Sequence, residues 1–530
     1  MRTPIGIVFG STSPSCVKMI KVKDPNITIF KNQFVEVKYS NVSEPGFDST
    51  LGKIVDIKIK NVLLEEGLLP NISEEAGDIT SLEELGIPRT LTENVIAEIE
   101  IIGFVKKGKI ISPLIPPRPG DFVYRAREEI LKNLFLQEDS IKIGYLKENP
   151  NVPIYLNYQE LISKHFAILA MTGAGKSHTV SVIIEELSMN IDLPIVIFDP
   201  HGEYSSMMIP RRRLSNPDDF EKARKVASKI KILVPGETYK AYEDFFERKF
   251  GRRREVTKLS FHYADLDFTQ IYHLLSSIYG LTQAQARILE KAWDDVRYKY
   301  EINGFITKDD IFDTIRKRVE GRGEEIAYQT LKNKLELLFR RPYFGESKFR
   351  IHEIIKKGQI SVIDLSGLEA VDQQVVASII AREIFEARKR RDRRMPPVLL
   401  ILEEAHKFIP SGFSTASSST FKRIAAEGRK FLVGLGIISQ RPSKLDADVL
   451  SQCNTQIIMR LINPNDQNYV KNVSEGISSS DLETIRGLGQ GEALILGTSI
   501  PIPVICKIKD RVTEHGGYTP KVNEELSLIS

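Results

Sequence analysis

Period-two alternation marks the first part of the chain. "NQFVEVKYS" and "IVDIKIK" alternate apolar and polar positions, and "NVIAEIEIIGFV" adds a third such run. Side chains of a strand point to opposite faces in turn, so each run predicts a half-buried strand. "SPLIPPRPGD" then interrupts the pattern with prolines. Several short strands ending near Gly120 predict a small β-barrel or sandwich. From about Pro153 the texture changes. "HFAILAM", "PIVIFDP", "QISVIDLS", "PVLLILEE", "FLVGLGIISQ" and "TQIIMRL" are near-continuous aliphatic runs separated by helix-length segments. That is the pattern of a parallel sheet covered on both faces. Roughly residues 240 to 350 read as a helical insertion between the second and third runs. There "LTQAQARILEKAWDDVRYKY" carries apolar residues at helical spacing, and "TKDDIFDTIRKRV" places Thr307 as an N-cap before acids in the first turn. The tail from about Asp510, with Gly516 and Gly517, reads as an extended arm.

Composition narrows the class. At 530 residues the chain exceeds one ordinary core, and 42% hydrophobic with 27% charged residues is a globular balance. No run approaches the roughly 20 apolar residues of a membrane span, and "MRTPIGIVFG" lacks a signal-peptide layout. The expectation is a cytoplasmic protein without a membrane partner. Cys16, Cys453 and Cys506 are scattered without metal spacing and read as small core residues. A net charge of +4 announces no nucleic-acid partner by itself, so any such partner must meet local basic patches.

The first chemical signal is "HFAILAMTGAGKSHTVSVIIEEL", a strand, a tight loop and a helix. Thr172 to His178 form the loop, in which Gly173, Gly175, Lys176 and Ser177 fit the second half of the P-loop pattern. In such a loop the N–H groups and a helix N-terminus surround phosphates, Lys reaches the terminal ones and Ser binds Mg²⁺. Ala170 stands where the pattern has its first glycine, at the strand end where a methyl fits. An ordinary glycine turn is the bland alternative, and the flanking strand and helix argue against it. The expected ligands are ATP or GTP with Mg²⁺.

The second signal is "LLILEEAH", an aliphatic strand ending in Glu403 and Glu404. The first carboxylate of such a pair orients Mg²⁺, often through water, which tolerates Glu for the usual Asp. Glu404 is then the natural general base for the attacking water. The alternative is a pair of acids that merely start a helix. In "IFDPHGEYS", Asp199 and Glu203 fall at the carboxyl edge of the sheet, where either could orient water or stand near the metal. Asp-Pro-His-Gly is equally good turn chemistry. "LGIISQRP" places the amide of Gln440 at another strand end, to contact a γ-phosphate or simply to satisfy the turn. Arg429, in "AAEGRKFL", suits a helix C-terminus through the dipole, or acts as an arginine finger in a neighbouring subunit.

Taken in order, "MTGAGKS", "FDPHGEY", "LLILEEAHKF", "EGRKFLVGLGIISQRP" and "GQGEALI" after a barrel resemble the archaeal HerA hexameric DNA translocases, relatives of the FtsK motors. The resemblance covers nearly the whole chain. It implies an α/β fold, a RecA-like P-loop ATPase core with an N-terminal β-barrel and an inserted helical bundle. The implied domains are 1–125 (barrel), 126–240 and 351–509 (core), 241–350 (helical insert) and 510–530 (an arm bracing a neighbour). It also implies that Lys176 and Ser177 bind ATP and Mg²⁺, with Glu403 on the metal side and Glu404 catalytic. Arg429 would act in trans, Gln440 would sense the γ-phosphate, and Lys164, before the P-loop strand, would reach nucleotide. Lys507 and Ile508 are weaker nucleotide contacts by the same resemblance. The implied partners are double-stranded DNA, further copies of the chain in a hexamer, and a NurA nuclease that resects broken ends with it.

Basic clusters at 211–213, 252–254 and 388–394 could neutralise phosphate, or be solvated surface and subunit contacts. No base-reading motif is present, as a motor that tracks backbone requires. Three functions therefore stand open: a ring-shaped DNA translocase or helicase, a secretion or conjugation ATPase on the same core, and a non-motor nucleotide-binding scaffold.

Overall fold

The computed structural model describes the chain except residues 1, 41–46, 62–92, 107, 212–213, 215, 237–239, 241, 243, 245–255, 346–349, 393, 475, 515 and 517–530. The chain divides into two compact units, 1–156 with 478–484 and 500–507, and the remainder.

The first unit holds strands β1 (Gly6–Phe9), β2 (Cys16–Lys21), β3 (Phe34–Lys38), β4 (Ser49–Asn61), β5 (Glu93–Lys106), β6 (Lys109–Ile111) and β7 (Phe122–Arg125). Their order is β2-β1-β7-β3-β4-β5-β6, and β2 also pairs with β5, so six strands close into the expected barrel. Register shifts in β4 between Leu51 and Gly52 and between Ile54 and Asp56 mark irregularities of the kind that bend a strand around a barrel. The alternating residues legible in sequence point inward: Val35, Val37, Ile54, Ala97 and Ile99 share one core. The barrel strands end at Arg125, and the compact unit continues past them through helix α1 (Glu128–Phe135) and strands β8 (Ser140–Leu146) and β9 (Asn149–Asn157) to residue 156.

Among the described residues the second unit is built on nine strands: β10 (Phe166–Leu169), β11 (Ile195–Asp199), β12 (Ile230–Pro235), β13 (Val256–Leu259), β14 (Ile360–Asp364), β15 (Val398–Leu402), β16 (Val433–Ser439), β17 (Thr455–Ile458) and β18 (Glu492–Gly497). A last strand, β19 (Val504–Ile508), falls mostly in the first unit. The order is β13-β12-β14-β11-β15-β16-β10-β17-β18, parallel except for β18. Every residue of β10, β11, β14, β15, β16 and β17 is buried, which is why the six aliphatic runs are so continuous. β12 and β13 were not legible: Lys231 breaks the run "IKILVP", and "VTKL" is too short to signal.

Helices α2 (Tyr158–Ser163), α3 (Lys176–Asn190), α4 (Pro217–Ser228), α5 (Phe268–Tyr279), α6 (Gln283–Asn303), α7 (Lys308–Arg316), α8 (Gly321–Leu338), α9 (Ala370–Lys389), α10 (Ser418–Phe431) and α11 (Pro464–Val473) belong to it. α5 to α8 supply the helical character expected of the insertion. Ile288, Leu289, Ala292, Trp293 and Val296 form the buried stripe of α6, with Tyr328, Leu331, Leu335 and Leu338 buried on α8. Thr307 does cap α7, accepting from Asp310 N–H in a reciprocal capping box.

Strand order decides what can meet. β14, β11, β15, β16 and β10 are successive neighbours, so Asp364, Asp199, Glu403, Gln440 and the loop after Leu169 line one carboxyl edge. In open parallel sheets this edge is where ligands bind.

Candidate active site

The loop after β10 is braced from three sides. Ala170 N–H donates to the Ser439 carbonyl (3.2 Å), and Met171 N–H to the Arg460 carbonyl (3.0 Å). Gly491 N–H donates to the Ala174 carbonyl (2.9 Å), and the Gly491 carbonyl in turn accepts from Ile508 N–H (2.9 Å). The "GQG" turn is therefore the back wall of the P-loop. Ala170 lies buried at the strand end, so its methyl sits in the core and not against the loop's mouth. Gly173 (φ +80°) and Gly175 (φ +104°) take left-handed conformations that side chains disfavour. α3 then starts at Lys176 with no side chain capping it and no acid in its first turn. Its orphan N–H groups and positive dipole end are left for an anion, which is the chemistry a polyphosphate requires.

Lys176 is 8% exposed and bridges both glutamates: its ammonium pairs with Glu403 Oε1 and lies 2.9 Å from Glu404 Oε1. Burial alone would depress the ammonium's pKa, but the two carboxylates outweigh it and the net shift is upward. Burial pushes Glu403 up in spite of Lys176, whereas Glu404 goes down because Lys176, Gln440 and His406 overcome its burial. Lys176 thus holds the second glutamate's pKa down but does not offset the deeper burial of the first. Gln440 Nε2 donates to Glu404 Oε1, while Thr172 Oγ donates to Gln440 Oε1, so P-loop, sensor amide and second glutamate form one chain of hydrogen bonds. His406 Nδ1 stands 3.3 Å from Glu404 Oε2. Glu404 itself holds φ +50°, a conformation costing a non-glycine residue about 1–3 kcal/mol and typical of functional sites.

The "FDPHGEY" stretch proves to be a brace with two working side chains. Asp199, fully buried, commits both oxygens to backbone: Oδ1 accepts from His201 N–H (3.2 Å) and Gly202 N–H (2.9 Å), Oδ2 from Tyr204 N–H (2.9 Å). The catalytic role considered for Asp199 meets this geometry: its carboxylate holds the turn and faces no open space. Burial and the neighbouring Asp364 push its pKa up to about 7. The turn presents Tyr204, whose hydroxyl donates to Glu403 Oε2 (2.8 Å), and Glu203, whose Oε2 accepts from Ser177 Oγ (2.6 Å). Glu403, expected on the metal side, is bound by two neighbours. Both its oxygens face Lys176 and Tyr204, and Glu203 is the carboxylate on Ser177. Tyr204 and His406 escaped sequence reasoning, since neither belongs to a phosphate motif.

The remaining candidates scatter. His178 directs its ring to the Lys509 carbonyl (2.8 Å), away from the P-loop mouth. Ile508 touches the site only through Gly491, and Lys507 groups with the other compact unit. Lys164 and Arg429 precede β10 and β16, whereas the P-loop and Gln440 follow those strands. They therefore lie at the amino edge of the sheet, away from their own P-loop. There Lys164 pairs with Glu160, whose carboxylate is held low against its burial by Lys164, Thr498 and Arg429. Arg429 is exposed in the last turn of α10. Of the basic clusters, 252–254 and 212–213 lie outside the described residues. In the third, Arg388 donates to the Phe431 and Met395 carbonyls and Arg394 pairs with Asp392. The expected arm lies outside the described residues from 517. Its first part packs on α3, with Val512 and Thr513 N–H on buried Glu185.

The residues present fit a nucleotide with Mg²⁺. The uncapped helix start awaits an anion, and Ser177 has a carboxylate partner. Among the described residues no cluster of His, Cys, Asp and Glu could hold a metal alone, so a cation here would lean on Ser177 and phosphate oxygens. Among them too, no helix is long and apolar enough to cross a membrane.

Fold and site together define a P-loop ATPase: a doubly wound core with a Walker-type lysine and serine, paired acids and a strand-end amide along one edge. The central-domain model of helicase HerA matches residues 141–384. The DNA double-strand break repair helicase HerA of Pyrococcus furiosus is 31% identical over 96% of this chain and 92% of its own. That of Sulfolobus acidocaldarius is 29% identical over 94% and 93%. Among solved structures, VirB4 of Thermoanaerobacter pseudethanolicus covers 71% of this chain and 98% of its own, with 16% identity and a TM-score of 0.49. The chain belongs to the HerA helicase family, and with it to the enzymes that hydrolyse ATP.

Proposed function

We propose that this chain is an ATP-driven translocase or helicase for double-stranded DNA, acting as a ring of identical subunits, a hexamer, in the repair of broken ends with a NurA-like nuclease. What carries the reading is the division of groups between two edges. Lys176, Glu404 and Gln440 share one hydrogen-bonded network at the carboxyl edge, with Ser177 on Glu203 at the same edge, while Arg429 and Lys164 stand at the amino edge, placed for another subunit's nucleotide. The long relatives named as DNA double-strand break repair helicases support the DNA and repair side of it.

MgATP, when bound, supplies the phosphoanhydride to be cleaved and a divalent charge that offsets its oxygens. Lys176 exchanges the two glutamates for the terminal phosphates. Glu404, relieved of that ammonium, takes the proton of the attacking water, and Gln440 passes from Glu404 to the γ-phosphate and back when the phosphate leaves. Arg429 and Lys164 complete the charge balance from the adjacent subunit. The scaffold alternative loses support from the complete set of ionised groups, and the secretion alternative from the repair helicases among the relatives.

The test is steady-state ATP hydrolysis by the wild type and Glu404→Gln, with and without linear duplex DNA, at checked assembly mass. Duplex-stimulated turnover that falls by about 10² or more in Glu404→Gln is expected. Turnover indifferent to duplex would refute the DNA motor.

A further inference from the structure

We infer that Glu203 is the proton acceptor of the Ser177 hydroxyl and the carboxylate that steadies a divalent cation at that serine. The inference rests on the ATP-site reading above and adds a residue that the P-loop and the paired glutamates do not include.

Glu403 has one oxygen on Lys176 and the other on the Tyr204 hydroxyl. Glu404 has Lys176 and Gln440 on one oxygen and His406 beside the other. Asp199 holds three backbone N–H groups, and Asp364 accepts from Ser366 N–H while its other oxygen faces Gly202. None of these contacts involves Ser177. Glu203 is the one whose oxygen meets Ser177, at 2.6 Å, the length of a charge-assisted O–H···O⁻ bond.

That contact suits a cation ligand. A serine oxygen that gives a lone pair to Mg²⁺ must point its proton away from the ion. A carboxylate accepting that proton fixes the hydroxyl's rotation and makes the oxygen a better donor, as hydrogen-bonded partners of metal ligands do generally. The backbone around Glu203 is held for this purpose. Asp199 clamps the N–H groups on either side of it, Gly202 takes φ +73°, and the Ser206 hydroxyl donates to the Glu203 carbonyl (2.9 Å). A Cβ at Gly202 would come within 3.2 Å of Asp364 Oδ2 in a backbone conformation already unfavourable to side chains. Glu203 is also only half-buried, unlike Glu403 and Glu404, as a group facing an open ligand edge should be.

The experiment measures binding, not turnover. A fluorescent ADP is titrated onto the full chain in EDTA and then across a Mg²⁺ series, for the wild type, Glu203→Gln, Glu203→Ala, Ser177→Ala and the Ser177→Ala/Glu203→Gln pair. The Mg²⁺ needed for half of its effect should rise about tenfold in both Glu203 variants. The double variant should be no worse than Ser177→Ala, because the two residues act through one contact. An unshifted Mg²⁺ midpoint, or an equal loss in EDTA and in Mg²⁺, would return Glu203 to a loop-bracing role. A wild type whose ADP binding ignores Mg²⁺ would instead overturn the ATP-site reading, and the inference with it.

Discussion

Replacing Lys176 by Ala should do more than stop hydrolysis. It should destabilise the nucleotide-free protein, by an amount that depends on pH. Lys176 is 8% exposed, Glu403 1% and Glu404 2%, so the substitution leaves two adjacent carboxylates in low dielectric without their shared cation. Removing one partner of a buried pair costs about 3–5 kcal/mol, since the survivor keeps its desolvation penalty and loses its attraction. For a unit of this size roughly 2 °C in melting temperature accompanies each kcal/mol. The expected loss at pH 8 is therefore about 6–10 °C in the transition of the ATPase unit, read by calorimetry without nucleotide.

The sign of the pH effect follows from linkage. Without the ammonium, the folded-state pKa of Glu403 rises further above the free value of 4.5, and that of Glu404, which Lys176 holds below it, moves up as well. A carboxyl whose folded pKa is raised binds its proton more tightly when folded, so stability falls as pH climbs from the free value towards the folded one. The deficit should shrink towards pH 5, where protonation removes one of the stranded charges. Glu403→Gln in the Lys176→Ala background should recover part of the loss at pH 8 by deleting a charge without changing shape. A melting temperature equal to the wild type's at pH 8 would refute the reasoning outright. A deficit constant between pH 5 and pH 8 would assign the loss to packing of the lysine stem and not to electrostatics.

Two further outcomes test other parts of the site. Mixing inactive Arg429→Ala subunits with inactive Lys176→Ala subunits should restore part of the turnover, because some interfaces then pair an intact P-loop with an intact arginine; no recovery would leave Arg429 with only its place at the end of α10. Asp199 tests the carboxyl edge: burial first, and Asp364 second, push its pKa up from 3.8 to about 7, so its contribution to stability declines as pH rises across that window. Asp364→Asn removes one cause, and its stability relative to the wild type should improve between pH 5 and pH 8 by on the order of 1 kcal/mol; a difference that does not change with pH would show that the two carboxyls do not interact.

How far the sequence reached is clearest at the strand ends. The aliphatic runs of β10, β11, β14, β15, β16 and β17 were legible because burial on both faces removes polar positions altogether. The P-loop was legible because left-handed backbone at two positions demands glycine. Strand order was not, and strand order makes the site. Tyr204 meets Glu403 only because β11 lies beside β15. Asp199 shows the same limit on a smaller scale. A carboxylate at a strand end reads equally as catalyst or turn, and only the three N–H groups around it decide.

One consequence was available from sequence once a parallel sheet was granted. A residue that precedes a parallel strand and one that follows it must lie at opposite edges, separated by the strand's length at about 3.3 Å per residue. Lys164 precedes β10 and Lys176 follows it; Arg429 precedes β16 and Gln440 follows it. Neither basic residue then lies at the edge that holds its own chain's P-loop. Both cations lie near Glu160, Arg429 exposed and Lys164 half-buried. If they touch nucleotide it is a neighbour's, and the proposed motor then calls for an assembly of subunits before it calls for DNA.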